Sequence, residues 1–561
     1  MNKFKLTFYI LILFTFVYSY SFKYSDDDLR DAINKVRSNE ITTDELKAHI
    51  RYLASDDLEG RFPGTRGDSL TESYIENEFK NYGLLPGNGD SYRQNFDITS
   101  DVKLGDDNKM TLYVDEKEFK LKPGSEYTPL GISSNAMVKF GLVFAGYGIT
   151  SAEQNYDDYK DIDALGKIVV ILKHSPGYNN PHDNPFDKFE QINFKITTAK
   201  QKGALGIIVI NGPEDENDDR LMKLRGDNFS GDAGIPVVNV KREYIEKCFE
   251  LNGKKLAEVQ KSINETKTPA SFILKKSSAM IQTNVLKVKS STSNIMGFLE
   301  GSDPVLKNEV IVIGAHKDHL GDGTKYGSLN DKNPAIHNGA DDNASGTSGV
   351  LEVAQKLSSV KSSLKRSYLF MLFGSEEAGL LGSAYFTKSE LFSRYNIVAM
   401  INMDMIGRLD NNKLSIGGTG TSSVWVPVLD SLNKIYEFTA GYKPEGFGPS
   451  DHSSFYAKDL PVLFFFTSLH TDYHRPSDDW DKINYDGEKK ILELVYSVLN
   501  TLDNLSGKPD FIKATTQKED KQGPQLRVTL GIIPDYSSTD EGLAVLGVKE
   551  GGVGEKSGIL K

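Results

Sequence analysis

Residues 309–321 read EVIVIGAHKDHLG, an apolar run that stops at His316. Short continuous apolar runs of this kind are the mark of strands buried on both faces. Three further runs end in the same way. SYLFMLFGSEE (367–377) stops at Glu376 and Glu377, VAMINMD (398–404) at Asp404, and VLFFFTSLHTDYH (462–474) at His474. Between the first two lies NGADDNASG (338–346), with Asp341 and Asp342. In open α/β sheets, ligands bind outside the carboxyl ends of the strands. The pattern predicts an α/β fold whose mostly parallel-cored mixed sheet, flanked by helices, gathers imidazoles and carboxylates at one edge. Such a donor set would hold a metal pair and points to a metallohydrolase.

The rest of the chain frames that core. At 561 residues it is too long for one ordinary domain. Its net charge of −12, with no compensating Lys/Arg stripe, argues against a nucleic-acid partner. The opening MNKFKLTFYILILFTFVYSYS reads as a secretory signal over 1–21: Lys3 and Lys5, an apolar core, then Ser19 and Ser21 at the cleavage positions. It predicts a secreted or periplasmic protein with no stable membrane span after cleavage. The single cysteine, Cys248, rules out both a disulfide scaffold and a thiolate zinc site. Within YIEKCFEL it reads as a packed core thiol.

Residues 22–109 are expected to open the main domain. TTDELKAHIRYLAS is helical with Leu46, Ile50 and Leu53 on one face, DDLEGRFPGTRGDS is a loop, and SLTESYIENEFKNYGL is a helix ending at Gly83. Residues 110–280 alternate strands with short helices and polar loops, which predicts an inserted domain. Its His174 and His182 lack carboxylates at metal spacing and read as surface or loop histidines. The α/β pattern resumes over 281–505. There GTSGVLEVAQKLSSV turns Val350, Val353, Ala354 and Leu357 to one face. Residues 506–523 read as a polar linker. Residues 524–561 begin a β-rich module that is expected to be incomplete, because a last strand and helix would have to follow Lys561.

Six of the nine histidines lie between 316 and 474, among the acidic motifs. Imidazoles with carboxylates and no thiolates suit zinc, and also cobalt or manganese. Five donors and a spare glutamate fit two metals sharing a carboxylate better than one closed structural site. Asp341, in its glycine-flanked loop, is the expected bridge. Glu376 and Glu377 need separate tasks: one a ligand, the other a base taking a proton from metal-bound water. Asp318, two residues beyond His316, is expected to orient that imidazole. His319 reads as a bystander and His337 as loop surface. Asp451 and His452, in GFGPSDHSSF, form a further polar pair. Spacing alone does not choose between His470 and His474 as the final ligand.

The stretches GAHKDHLG, NGADDNASG, FGSEEAGLLGS, NMDMIGR, GPSDHSSF and DYHRPSDD, in this order, resemble the co-catalytic di-zinc exopeptidase family. That family includes secreted bacterial aminopeptidases, glutamate carboxypeptidase II and the glutaminyl cyclases. The resemblance implies a phosphorylase/hydrolase-like architecture and two Zn2+ ions, with Co2+ or Mn2+ as possible substitutes. It implies that His316 and Asp404 bind one zinc, that Glu377 and His474 bind the other, and that Asp341 bridges. Glu376 would be the general base, Asp318 would support His316, and Asp342 would fix the backbone at the bridge. It selects His474 over His470 and puts Asp451 and His452 near the substrate cleft. Residues 110–280 resemble a protease-associated domain, and 524–561 the start of a PDZ domain. The implied activity is that of an aminopeptidase acting on peptides. The alternatives are a carboxypeptidase of the glutamate carboxypeptidase type, a glutaminyl cyclase-like enzyme and, last, a non-catalytic binding module.

Overall fold

The computed structural model describes residues 33–514, apart from 152–153, 179–183, 187–188, 190–191, 216, 225–232 and 331–332, and two strands at Ile532–Pro534 and Val545–Val548. The signal segment, His182 and most of 524–561 lie outside the described residues. The two late strands pair antiparallel. No helix among the described residues is long and apolar enough to cross a membrane.

The main sheet has nine strands. We label those that matter β1 (Arg93–Leu104), β2 (Val285–Leu299), β3 (Glu309–His316), β4 (Ser367–Phe373), β5 (Asn396–Met403), β6 (Lys413–Gly417), β7 (Thr439–Tyr442) and β8 (Val462–Phe466). Four central strands, in the order β4-β3-β5-β8, run parallel. Antiparallel neighbours flank them: β2 beside β4, and β6 beside β8. The apolar runs become these central strands because all their residues but the first of β3 and β5 and the last of β8 are buried. Their parallel sense brings their carboxyl ends, and so the motifs that follow them, to one edge.

Helices cover the sheet: α1 (Thr43–Leu53), α2 (Arg66–Asn81), α3 (Gly346–Ser359), α4 (Leu381–Lys388), α5 (Trp425–Tyr436), α6 (His452–Tyr456) and α7 (Tyr485–Asp503). In α1 the Thr42 side chain caps the first turn by accepting the Glu45 N–H, a contact worth about 1 kcal/mol. Leu46, Ile50 and Leu53 are buried, as the periodicity requires. Val350, Val353, Ala354 and Leu357 of α3 are buried too. Helix α2 is followed by Gly83 in the left-handed region (φ 73°).

Lys109–Val114, Lys117–Leu121, Tyr127–Pro129, Met137–Phe144, Ile168–Leu172, Gly206–Ile210, Val237–Val240 and Phe272–Gln282 form a second, eight-stranded sheet with its own apolar core. Cys248 packs in that core, and burial pushes its thiol up to about 11. His174 departs from the surface reading: it is buried and stacks on Tyr178. The start of the expected linker is docked rather than free. Arg366 donates to the Gly507 carbonyl, Ser422 and Ser423 donate to Asp510, and the Ile512 N–H bonds the Thr421 carbonyl.

Candidate metal centre

Strand β3 delivers His316 at its last residue, with Nε2 facing two carboxylates. Asp342 Oδ1 and Asp404 Oδ1 each stand 3.3 Å from it. On the other side, His474 Nε2 stands 3.3 Å from Asp342 Oδ2 and 3.1 Å from Glu377 Oε2. Two donor groups therefore share one carboxylate, that of Asp342. Ligands at about 2.0–2.1 Å from a tetrahedral zinc are separated by roughly 3.3 Å. The ligand-to-ligand spacings here match that edge length, so these residues fit a zinc ion on each side of Asp342.

The shared carboxylate is Asp342 and not Asp341, which corrects the sequence expectation. Asp341 turns the other way, into the protein. Its Oδ1 accepts the Gly407 N–H at 2.7 Å and the Ser345 hydroxyl at 3.1 Å, and its Oδ2 stands 3.2 Å from His470 Nε2. The two aspartates thus exchange roles, and Asp341 anchors the loop. His470 pairs with Asp341, which leaves the second donor group to His474. Neither choice could be made from spacing, because adjacent loop residues have no fixed facing.

Asp478 completes the loop's anchorage, a role that sequence reasoning missed. Its Oδ2 accepts the N–H groups of Asp341 (2.9 Å) and Asp342 (3.1 Å), while Oδ1 accepts Arg408 Nη2 at 2.8 Å. The DYHRPSDD motif therefore supplies both His474 and the acid that fixes the loop opposite it.

Asp318 is fully buried, but orienting His316 is not its main contact. Its carboxylate is 3.9 Å from His316 Nδ1, which instead lies 3.2 Å from the Asp318 carbonyl. The carboxylate accepts the backbone N–H groups of Glu376 (3.0 Å) and Glu377 (3.3 Å). It therefore fixes the turn after β4. Burial raises its carboxyl to about 6.

That turn splits the two glutamates. For Glu377, burial opposes ionisation but is outweighed by His474 and by hydrogen bonds from His319 and His474. Its carboxyl is held at about 2. Glu376 lies 3.9 Å from His316 Nε2, farther than the other acids there. Burial, reinforced by Asp404, Asp451 and Glu377, raises its carboxyl well above the ordinary range despite His316. One glutamate is thus an ionised donor, and the other an acid with high proton affinity.

His319 is no bystander. It is buried, and Nδ1 stands 2.7 Å from Glu377 Oε1. It directly follows Asp318, a spacing that gives no signal of this contact. His337 is buried rather than on the loop surface, with Nε2 2.9 Å from the Ser328 hydroxyl. Asp451 is buried, and burial lifts its carboxyl to about 7, with the neighbouring Asp318 and Asp404 adding to the rise. His452 lies against Phe464 in a parallel stack at 4.4 Å, and burial pushes its imidazole down to about 3. It is buried against that ring.

Known proteins share parts of this chain's sequence and fold. Residues 294–499 match the model of peptidase family M28. The matched residues span β3 to β8 and contain every donor described above. Aminopeptidase YwaD of Bacillus subtilis (strain 168) is 25% identical over 367 residues, covering 63% of this chain and 66% of that protein. Leucine aminopeptidase 2 of Trichophyton rubrum is 29% identical over 187 residues, 32% of this chain and 34% of that protein. The chain thus spans between a third and two thirds of these relatives' length. The structure of an aminopeptidase from Aneurinibacillus sp. strain AM-1 superposes with a TM-score of 0.50 at 20% identity, over 87% of this chain and 97% of that one. It shares the α/β fold.

Proposed function

We propose that this protein is a zinc-dependent aminopeptidase, secreted or periplasmic, that removes N-terminal residues from peptides. The observation that carries the reading is the pair of imidazoles, His316 and His474, facing opposite oxygens of Asp342. Asp404 completes one donor group and Glu377 the other. Zinc bound there would polarise a scissile carbonyl and bring the pKa of bound water to around 7.

The chain's own residues do the rest. Glu376 has the high proton affinity a general base needs near neutrality, and it would take the proton from attacking water and return it to the leaving amine. Asp318 holds Glu376 and Glu377 by their N–H groups, so the base keeps its place as its charge changes. Residues 110–280 would act as a protease-associated domain shaping the substrate entrance.

Arg408 favours an aminopeptidase over a carboxypeptidase. Its Nη2 bonds Asp478 and lies 3.4 Å from Asp472, which supports an internal anchoring role over capture of a substrate carboxylate. A panel of free, N-blocked and C-blocked peptides, run with and without chelator, tests the proposal. Chelator-sensitive cleavage that is lost on N-blocking alone supports it. Cleavage of N-blocked peptides, or none sensitive to chelator, would refute it.

A further inference from the structure

Arg61 lies far outside the M28 region in sequence, in the stretch DDLEGRF that reads as a charged loop. In the structure it is 1% exposed. Among the described residues its guanidinium has no carboxylate in salt-bridge contact, and it donates to main-chain carbonyls. Nε donates to Lys317 at 2.9 Å, Nη1 to Asn338 at 2.5 Å and also to Leu53, and Nη2 to Gly339 at 3.0 Å. Lys317 stands between His316 and Asp318. Asn338 and Gly339 lead into the loop that presents Asp342.

The main chain around Arg61 makes the reciprocal contacts. The Arg61 carbonyl accepts the His319 N–H at 3.3 Å, and the Gly60 carbonyl accepts the Gly321 N–H at 3.0 Å. A side chain at residue 60 would come within 2.6 Å of the Gly321 and His337 carbonyls, so the approach demands glycine. A buried guanidinium with fixed, forked donors is suited to hold several acceptors in one geometry. Its charge also lies in the field of Asp342, Asp318, Asp478 and Glu377, which keep it protonated against burial.

We propose that Arg61 is a positioning residue of the metal centre: it ties the end of β3 to the Asp342 loop and so sets the spacing of His316 and Asp342. The inference rests on the peptidase reading. Both segments belong to the donor set, through His316 and Asp342. A lysine at 61 could satisfy one or two of these carbonyls but not all four.

The test uses full-length, zinc-loaded protein and the Arg61→Lys and Arg61→Met variants. Variants that fold, as judged by circular dichroism, are expected to lose about 10–100-fold in kcat with KM changed less than about threefold. Their zinc affinity, measured by competition with a chromogenic chelator, is expected to weaken about 10–100-fold. A residue that served overall stability alone would lower Tm and leave both quantities at the wild-type level. That result would overturn the proposal. A second measurement needs no variant. In zinc-stripped wild-type protein, the amides of His319, Gly321 and His337 should stay protected from hydrogen exchange, and rapid exchange there would equally overturn it. If the wild type neither cleaves peptides nor takes up zinc, the peptidase reading fails, and faster exchange of these amides in Arg61→Met than in the wild type still decides whether the Arg61 side chain holds the two segments.

Discussion

Asp341 and Asp342 are neighbours in sequence whose carboxylates serve opposite sides of one loop. Asp342 stands 3.3 Å from both His316 and His474, whereas Asp341 bonds Gly407 and Ser345 and faces His470. The separation predicts different results from two similar substitutions. Asp342→Asn should remove zinc and lower kcat/KM by about a thousandfold or more, because a shared anionic donor is lost. Asp341→Asn keeps an oxygen acceptor for Gly407 and should retain zinc, with a loss of about 1–2 kcal/mol in stability. Metal analysis and kinetics on both variants check this. Equal zinc loss would mean that the two roles are not divided.

The response to metal removal should depend on pH. Burial alone would lower the imidazole pKa of His316 and His474, but the surrounding carboxylates outweigh it and raise both well above the usual value. A raised folded pKa contributes stability that is full below the unfolded value, near 6.5, and is lost as pH rises through the folded one. Zinc needs neutral imidazoles, so it replaces that stabilisation increasingly as pH rises. The drop in Tm on adding chelator should therefore be larger at pH 8.5 than at pH 6. A drop independent of pH would show that these histidines do not exchange protons for metal.

The second sheet carries its own pH signature. Burial raises the Asp158 carboxyl to about 7, although Tyr147 N–H, Ile149 N–H and the Tyr156 hydroxyl all donate to it. Its folded pKa lies above the unfolded value of 3.8. Its stabilising contribution is therefore full below about pH 4 and declines as pH rises towards 7, by at most about 4 kcal/mol. Asp158→Asn keeps an acceptor for the backbone and should flatten that decline. Thermal melts from pH 4 to 8 measure it, and an unchanged slope would assign the decline elsewhere.

Much of this arrangement is legible in the sequence, for a physical reason. Strands buried on both faces must be apolar throughout, so EVIVIGAH, SYLFMLF and VAMINM declare themselves. Their parallel pairing then forces His316, Glu376, Glu377 and Asp404 to one edge. The failures fall where no periodicity constrains facing. Asp341 and Asp342 sit in an irregular loop, and their orientation is set by Asp478, more than 130 residues away along the chain. Arg61 lies in a stretch that reads only as a loop, because the four acceptors for its donors are backbone carbonyls, which carry no residue identity. His337 and His174 were misjudged for a similar reason: their burial comes from tertiary packing of loops. His452 stacks on Phe464, a contact between α6 and β8 that the motif does not reveal.

Asp478 offers a separate check on loop anchorage. Asp478→Ala removes the acceptor for two N–H groups and strands Arg408. It should cost about 2–4 kcal/mol in stability. Zinc affinity should fall at the same time, because the Asp342 backbone is freed. Differential scanning calorimetry with parallel zinc titration would separate the two effects. A stability loss with unchanged zinc affinity would mean that the loop is held by other contacts.

The central claim is a two-zinc centre divided by Asp342, with Glu376 left free as the base. Anomalous diffraction at the zinc edge from crystals of the zinc-loaded protein tests it most directly. The account predicts two peaks, one on each side of Asp342, with His316 and Asp404 at one, Glu377 and His474 at the other, and Glu376 bound to neither. A single peak, or a carboxylate other than Asp342 between two peaks, would contradict it.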